Sequence, residues 1–424
     1  MKLTRAWLLT ALLYFLIIAV LGLLMRYLMI YPLPGFNFKY ILHAHSHVAL
    51  LGWLFFAIFI GFIHAYLPDS LKSGYRWLFV LFNISVVGML VTFPFQGYAL
   101  YSITFSTMHI LLSYYLIYKF LKDLKIMKAW HKKHNSSLPF VKAALFFLAI
   151  STIGPWSLGI IMAKGFSGSD IYYLAVYYYL HFFYNGFLIF SVIGLFYWFL
   201  EHKNIKFNRR IVNSFYKPLL ISCILTFALS VLWTKPAGIY YFIAASGAVM
   251  QVLAFFYFYH SIKNIITNVK ESMSEIAFLS LKFAFVIFAL KIAVQVISAL
   301  PFFADLAYQQ KNLVIGYLHL VLIGIISAFL FGFFSAINGF SFSNLISKSG
   351  IMLFWTGFIA TELMLFAQPL LAVLKLPLPT DFYQLLFTLS ILMPLGLLGF
   401  FIGQFLPKKL AETSETVTVE ASAA

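Results

Sequence analysis

Three histidines stand at alternate positions near the start of a long apolar run: His43, His45 and His47, in the stretch ILHAHSHVALLGW. On an α-helix, His43 and His47 lie one turn apart on the same face, whereas His45 points about 160° away from both. Neutral imidazole nitrogens ligate haem iron, copper and zinc. The spacing therefore predicts that a metal or a haem uses His47, or His43 with His47, rather than all three from one regular helix.

Three more histidines, His109, His181 and His319, stand alone in other apolar runs. Residues 177–186 read YYYLHFFYNG and residues 316–320 read GYLHL, so flat aromatic and small side chains flank two of the three. Such neighbours suit a planar macrocycle held between helices. A lone intramembrane histidine also hydrogen-bonds to Ser, Thr or Tyr of another helix, and both interpretations stay open for each residue.

The single cysteine, Cys223, excludes an internal disulfide and a thiolate cluster. A metal site must therefore rest on histidine, methionine, carboxylate or tyrosine. No CxxCH signature is present, which excludes covalent c-type haem within this chain.

The composition is that of a membrane protein. Of the 424 residues, 63% are hydrophobic and only 10% are charged, and the mean hydropathy is +0.94, outside the range of soluble domains. The net charge of +17 is high enough to suggest nucleic acid as a partner. Because the basic residues lie in short loops between apolar segments, we predict topology signals and a lipid environment instead, with no nucleic acid.

About twelve apolar segments are each long enough to cross a hydrocarbon core of about 30 Å. The sequence thus predicts an all-α integral membrane protein, with residues 1–406 as one polytopic transmembrane domain and 407–424 as a polar, disordered tail. We expect the segments near 7–30, 42–67, 77–98, 100–121, 141–163, 172–200, 218–234, 238–262, 276–300, 313–336, 351–372 and 382–405.

Lysine and arginine collect in alternate loops, which predicts cytoplasmic N- and C-termini and a multi-pass protein of the bacterial inner membrane. On that topology the second, fourth, sixth and tenth helices all enter from the outside. His109 then lies about 13 Å below Leu100 at 1.5 Å per residue, and all the single histidines share the outer third of the membrane with the first three.

Twelve helices with histidine in the outer parts of helices two, six and ten resemble subunit I of the haem-copper oxidase superfamily, which includes the nitric oxide reductases. The resemblance implies a low-spin haem, b-type on this interpretation, held by His47 (or His43) and His319. It also implies that His181 ligates a copper or non-haem metal. If the chain is an enzyme, the implied class is an oxidoreductase of the haem-copper oxidase or nitric oxide reductase type.

The chain departs from that family at two places. Residues 232–236, LWTKP, stand where the family has a histidine pair in helix seven, and His319 is alone where the family has two histidines. A single haem, or one haem or metal with fewer ligands, is therefore the prediction, with copper optional. His109, in helix four, and His45 are further candidate metal ligands.

Arg26 and Lys39 flank the loop between the first two helices, where cations are expected to pair with haem propionates or simply to reach the membrane interface. Two axial imidazoles predict electron transfer, whereas an open axial position predicts oxygen or nitric oxide chemistry. Either role in a respiratory chain implies an electron donor or further respiratory subunits as partners.

Two ionisable residues lie deep in apolar segments: Lys291 in the ninth and Glu362 in the eleventh. Lone charges are costly there, so they either pair or line a path for protons or ions. This supports an alternative function, a transporter or channel for a metal ion or small solute, in which the outer histidines bind first and Lys291 with Glu362 forms a gate. A third hypothesis is an assembly factor for haem or copper.

Overall fold

The computed structural model describes residues 2–126 and 135–406. His131 and His134, which the sequence places in a basic loop, and the predicted disordered tail 407–424 lie outside the described residues.

The prediction of twelve apolar spans is confirmed, and the described residues form helices without β-strands. Each span is long and apolar enough to cross a membrane. The cytoplasmic location of the termini, the bacterial inner membrane and the oxidase-like arrangement stay predictions. The spans are α1 (Thr4–Leu28), α2 (Phe38–Tyr66), α3 (Asp69–Gln96), α4 (Leu100–Ile126), α5 (Leu138–Ala163), α6 (Asp170–His202), α7 (Arg209–Thr234), α8 (Gly238–Ile262), α9 (Glu275–Ser298), α10 (Lys311–Ala336), α11 (Leu345–Val373) and α12 (Phe382–Gly403).

Three helices occupy the centre of the bundle. The most apolar windows of α2, α6 and α10 are 89, 94 and 56% buried, against 22–44% for the other nine spans. A helix that is apolar on all faces is surrounded either by other helices or by lipid, and the burial of these three spans shows that other helices surround them. The helices that carry most of the candidate histidines are thus the innermost ones.

Each central helix changes its geometry directly after a histidine. A π-helical segment follows His47 (Val48–Leu54), His181 (Phe182–Leu188) and His319 (Leu320–Ser327). Such π segments are rare and cluster at functional sites. Their recurrence directly after three histidines therefore marks this level of the bundle as a candidate functional site. We call the end of the bundle where α2, α4, α6 and α10 begin the histidine end.

Packing differs on the two sides of that level. Before the π segments, only Ile41 and Ala44 of α2 and Gly316 of α10 are buried, and on α6 no residue before His181 is. From the start of the π segments onward, nearly every residue of α2, α6 and α10 is buried. The histidine end therefore keeps open space around the central helices, whereas the opposite end is close-packed.

An aromatic layer closes the bundle just beyond the π segments. The indole N–H of Trp53 donates to Ser327 Oγ at 2.8 Å, joining the π segments of α2 and α10. The Trp53 ring stacks on Phe15 of α1 at 4.8 Å between centroids and lies 5.9 Å from Phe331. Such pairs contribute about 0.5–1.5 kcal/mol each beyond the area they bury, so α1, α2 and α10 are held in fixed register beneath the histidines.

Candidate cofactor site

His45 faces α1, away from the other two histidines of α2. Its Nδ1 lies 3.0 Å from the carbonyl oxygen of Ile18. Because a carbonyl only accepts, Nδ1 carries the proton and Nε2 keeps its lone pair. Nε2 makes no hydrogen bond to any other described residue, and the ring is half-buried. His45 is therefore set up as a ligand through Nε2.

Gly22 of α1 makes room for this ring. A β-carbon at position 22 would lie 3.1 Å from Cε1 of His45, which is tighter than ordinary van der Waals contact. The glycine lets α1 approach α2 closely enough for the Ile18 carbonyl to reach the imidazole.

His319 of α10 has the matching arrangement on the far side. Its Nδ1 lies 3.3 Å from Oε1 of Glu362 on α11, and its side chain is 29% exposed against 8% for the Glu362 side chain. A carboxylate beside Nδ1 favours the proton on that nitrogen and leaves Nε2 free. Gly316, one turn earlier, lies beside the same carboxylate, since a β-carbon there would be 3.5 Å from Glu362 Oε2.

We call the region between α1, α2, α10 and α11 that holds these groups the His45–His319 pocket. His45 lies within electrostatic range of both His319 and Arg26. Arg26, in the last turn of α1, also lies within range of Glu362 and is half-buried. One cation and one carboxylate therefore accompany two imidazoles whose Nε2 atoms are free.

His43 and His47 lie on the opposite face of α2, as the helical spacing predicts. Both rings contact Phe93 and Tyr98, at the α3–α4 connection, with centroids 4.3–5.9 Å apart. Exposed Lys39 interacts electrostatically with His43, on this face. The pairing of His47 or His43 with His319 stays a prediction, and the geometry favours His45 for that role instead.

His181 has both ring nitrogens engaged. Nε2 donates to the carbonyl oxygen of Cys223 on α7 at 2.8 Å, and Asn185 Nδ2 donates to Nδ1 at 3.3 Å. The side chain is 1% exposed. No lone pair is left for a metal in this arrangement, so the geometry fits an interhelical hydrogen bond better than the predicted copper ligand.

His109 is buried among aromatic rings. It packs against Phe55 and Phe82 at 4.7 and 4.8 Å, and its Nδ1 lies 3.4 Å from Ser113 Oγ on the same helix. It lies within electrostatic range of His47 but not in the His45–His319 pocket. Its assignment as a metal ligand stays a prediction.

Lys291 and Glu362 lie in different parts of the bundle. Lys291 is 1% exposed, its titratable neighbours are Cys223 and His181, and its Nζ is 5.9 Å from the Phe288 ring centroid. Within the described ranges no ion pair joins it to Glu362. Their roles as a gate or proton couple, or on a proton or ion path, stay predictions.

Across residues 2–126 and 135–406, no group of three or more His, Cys, Asp or Glu side chains converges in a way that holds a metal ion. The predicted copper thus lacks a ligand group of that kind in the described part of the chain. Searches of known protein families and of curated proteins find no match to this sequence.

Sequence reasoning missed the position of His45 opposite His319. The alternating spacing did separate His45 from His43 and His47, but only the folded structure shows that His45 is within electrostatic range of His319. Gly22 and Gly316 are the sequence signals that accompany it, since each leaves space beside one of the polar groups of the pocket.

Proposed function

We propose that the protein is a membrane electron-transfer protein that binds one b-type haem between His45 and His319. The observation that carries the proposal is the nitrogen arrangement of the two residues: each has Nδ1 at an acceptor and Nε2 free, on different central helices within one pocket. Two neutral imidazoles from facing helices are the axial pair of a six-coordinate low-spin haem.

The donor set and its surroundings fit such a group. Histidines that ligate metals usually donate their other N–H to a carbonyl or carboxylate, which fixes the tautomer and the ring plane. The Ile18 carbonyl is such an acceptor for His45 at 3.0 Å, and the Glu362 carboxylate lies 3.3 Å from Nδ1 of His319. The side chains of His45, His319 and Arg26 are only partly buried, so they are accessible to a bound group.

Each residue of the pocket has a definable task. Arg26 is the cation available to an anionic propionate or to the Glu362 carboxylate. The aromatic layer around Trp53 keeps water from entering the pocket from the packed side of the bundle. When bound, the haem would supply reversible one-electron transfer, which requires a donor and an acceptor such as respiratory partners.

Electron transfer is favoured over oxygen or nitric oxide reduction. A reducing centre of the haem-copper type needs a second metal with several histidine ligands, and both nitrogens of His181 already make hydrogen bonds. The residues at 232–236, on α7, include no histidine. The available imidazoles therefore support one closed haem rather than a binuclear site.

The transporter hypothesis retains one supporting observation. The buried oxygens Asn185 Oδ1, Gln251 Oε1 and Gln295 Oε1 have no hydrogen-bond partner among the described residues, and Lys291 lies near His181 in the same part of the bundle. Such a polar interior suits a small hydrated solute. No feature described above favours the assembly-factor hypothesis.

The test is the haem content and optical spectrum of the full chain purified in detergent from cells supplied with haem. We expect about one haem per chain, a Soret band, and low-spin bis-imidazole signals in electron paramagnetic resonance. Carbon monoxide should leave the reduced spectrum unchanged because both axial positions are filled. A colourless protein from haem-replete cells would overturn the proposal in favour of transport, and a carbon monoxide shift would overturn the closed site.

A further inference from the structure

A second pair of imidazoles lies on the other face of α2. His43 and His47 are one helical turn apart, both are half-buried, and both contact Tyr98 and Phe93. Side chains at positions i and i+4 of a helix lie next to each other. Two histidines in this relation can turn one nitrogen each toward a shared ion.

The nitrogens of His47 are assigned by their partners. Nδ1 lies 2.9 Å from the carbonyl oxygen of His43, so it carries the proton. Nε2 is then an acceptor, and it receives the Tyr98 hydroxyl hydrogen at 3.2 Å. Among the described residues, this hydroxyl is the group that occupies the Nε2 lone pair, and it must leave before a metal ion binds there.

His43 is less constrained. Within the described ranges its ring nitrogens make no hydrogen bond, although its own carbonyl accepts from both Ser46 and His47. Its ring lies 4.5 Å from that of Tyr98, at an interplanar angle of 63°. An imidazole nitrogen of His43 is therefore available beside the capped nitrogen of His47.

Tyr98 is positioned as a removable cap. It lies between α3 and α4 and is 38% exposed, so it can leave without disturbing a helix. The preceding Gly97 has φ of 60°, and a β-carbon there would collide with the Tyr40 ring.

We propose that His43 and His47 form a metal site, separate from the His45–His319 pocket, that binds a copper- or zinc-class cation when the Tyr98 hydroxyl leaves Nε2 of His47. Imidazole suits these cations. Water or an incoming ligand completes the coordination, so the ion is held exchangeably at the histidine end. The inference does not rest on haem binding, since it uses the opposite face of α2.

The experiment is a Zn²⁺ titration of the full chain, stripped with a chelator and purified in detergent, followed by competition with a fluorescent zinc indicator. We expect one site that His43→Ala and His47→Ala each weaken at least tenfold, because one of two protein ligands is lost. Tyr98→Phe should tighten Zn²⁺ binding about fivefold, the weight of one neutral hydrogen bond that no longer competes.

A control variant separates this site from other histidines. His260 has the same Nδ1 bond to its own helix as His47 but has Phe256 and Asn264, not a second histidine, one turn away, so His260→Ala should leave the titration unchanged. Elution as a single species in size-exclusion chromatography shows that each variant is folded. Unchanged Zn²⁺ affinity in folded His43→Ala and His47→Ala, or an equal loss in His260→Ala, would overturn the site. Weaker binding in Tyr98→Phe would overturn the role of Tyr98 as a cap.

Discussion

His181 and His319 stand at equivalent places in the bundle and differ in what their nitrogens do. Each is the last α-helical residue before a π segment of a central helix. His181 is 1% exposed and makes hydrogen bonds through both nitrogens. His319 is 29% exposed and has only Nδ1 beside an acceptor.

The difference shows that histidines at equivalent helix positions have different numbers of nitrogens available. The groups packed around each imidazole decide the outcome. For His181, the Cys223 carbonyl of α7 and Asn185 of α6 itself engage both nitrogens, whereas for His319 Glu362 of α11 lies beside one nitrogen and leaves the other free. The bundle thus has one region suited to a cofactor and one in which the corresponding histidine ties helices together.

The largest expected effect comes from replacing the two histidines in turn. His319→Ala should abolish the Soret band, because one axial ligand and the partner of Glu362 are lost together. His181→Ala should retain haem at the wild-type stoichiometry. The reduced-minus-oxidised spectrum and the haem-to-protein ratio are measured for both variants. Loss of haem in His181→Ala but not in His319→Ala would show that His181, rather than His319, holds the cofactor.

A steric change on α1 should act nearly as strongly on the His45 side. Gly22→Val places carbon atoms against the His45 ring, whose Cε1 would already lie 3.1 Å from a β-carbon. We expect haem occupancy to fall several-fold. Gly159→Val is the matched control, since no atom lies within 4 Å of a β-carbon at that position. Equal haem contents in the two variants would contradict the close contact between α1 and His45.

Glu362 should shift the midpoint potential of a bound haem without being required for haem binding. Glu362→Gln keeps the side-chain shape but removes the negative charge near His319. Loss of that charge disfavours the oxidised haem, so the midpoint potential should rise by several tens of millivolts. Spectroelectrochemical titration measures this potential. A potential that stays the same or falls would show that the carboxylate does not act on His319 as described.

The smallest effect belongs to the His181 side. Asn185→Ala removes the donor to His181 Nδ1 and should cost about 1–2 kcal/mol of stability, as for a buried hydrogen-bond partner. Thermal unfolding in detergent should show a lowered midpoint, while the optical spectrum stays that of the wild type. A spectral change in this variant would indicate that His181 contributes to the cofactor after all.

Sequence periodicity was sufficient to predict the helices and the faces of α2 on which its three histidines lie. It predicted twelve spans, and it separated His45 from His43 and His47 by simple helical geometry. Apolar runs and a residue spacing of one turn are properties of the local sequence, which explains this success.

The protonated nitrogen of each imidazole and its hydrogen-bond partners could not be predicted from sequence periodicity. The Ile18 and Cys223 carbonyls fix the tautomers of His45 and His181, and a backbone carbonyl carries no sequence signal. The π segments after His47, His181 and His319 likewise arise from packing among the central helices. The sequence therefore favoured His47 over His45, although the packing of α1 and α10 favours the reverse.

The most direct test of the central claim is the optical spectrum of His45→Ala beside that of His47→Ala, both purified as the full chain from haem-replete cells. We predict that His45→Ala loses the Soret band and the reduced bands, whereas His47→Ala keeps them at wild-type intensity. Retention of the bands in His45→Ala, with their loss in His47→Ala, would contradict the assignment of the cofactor to the His45–His319 pocket.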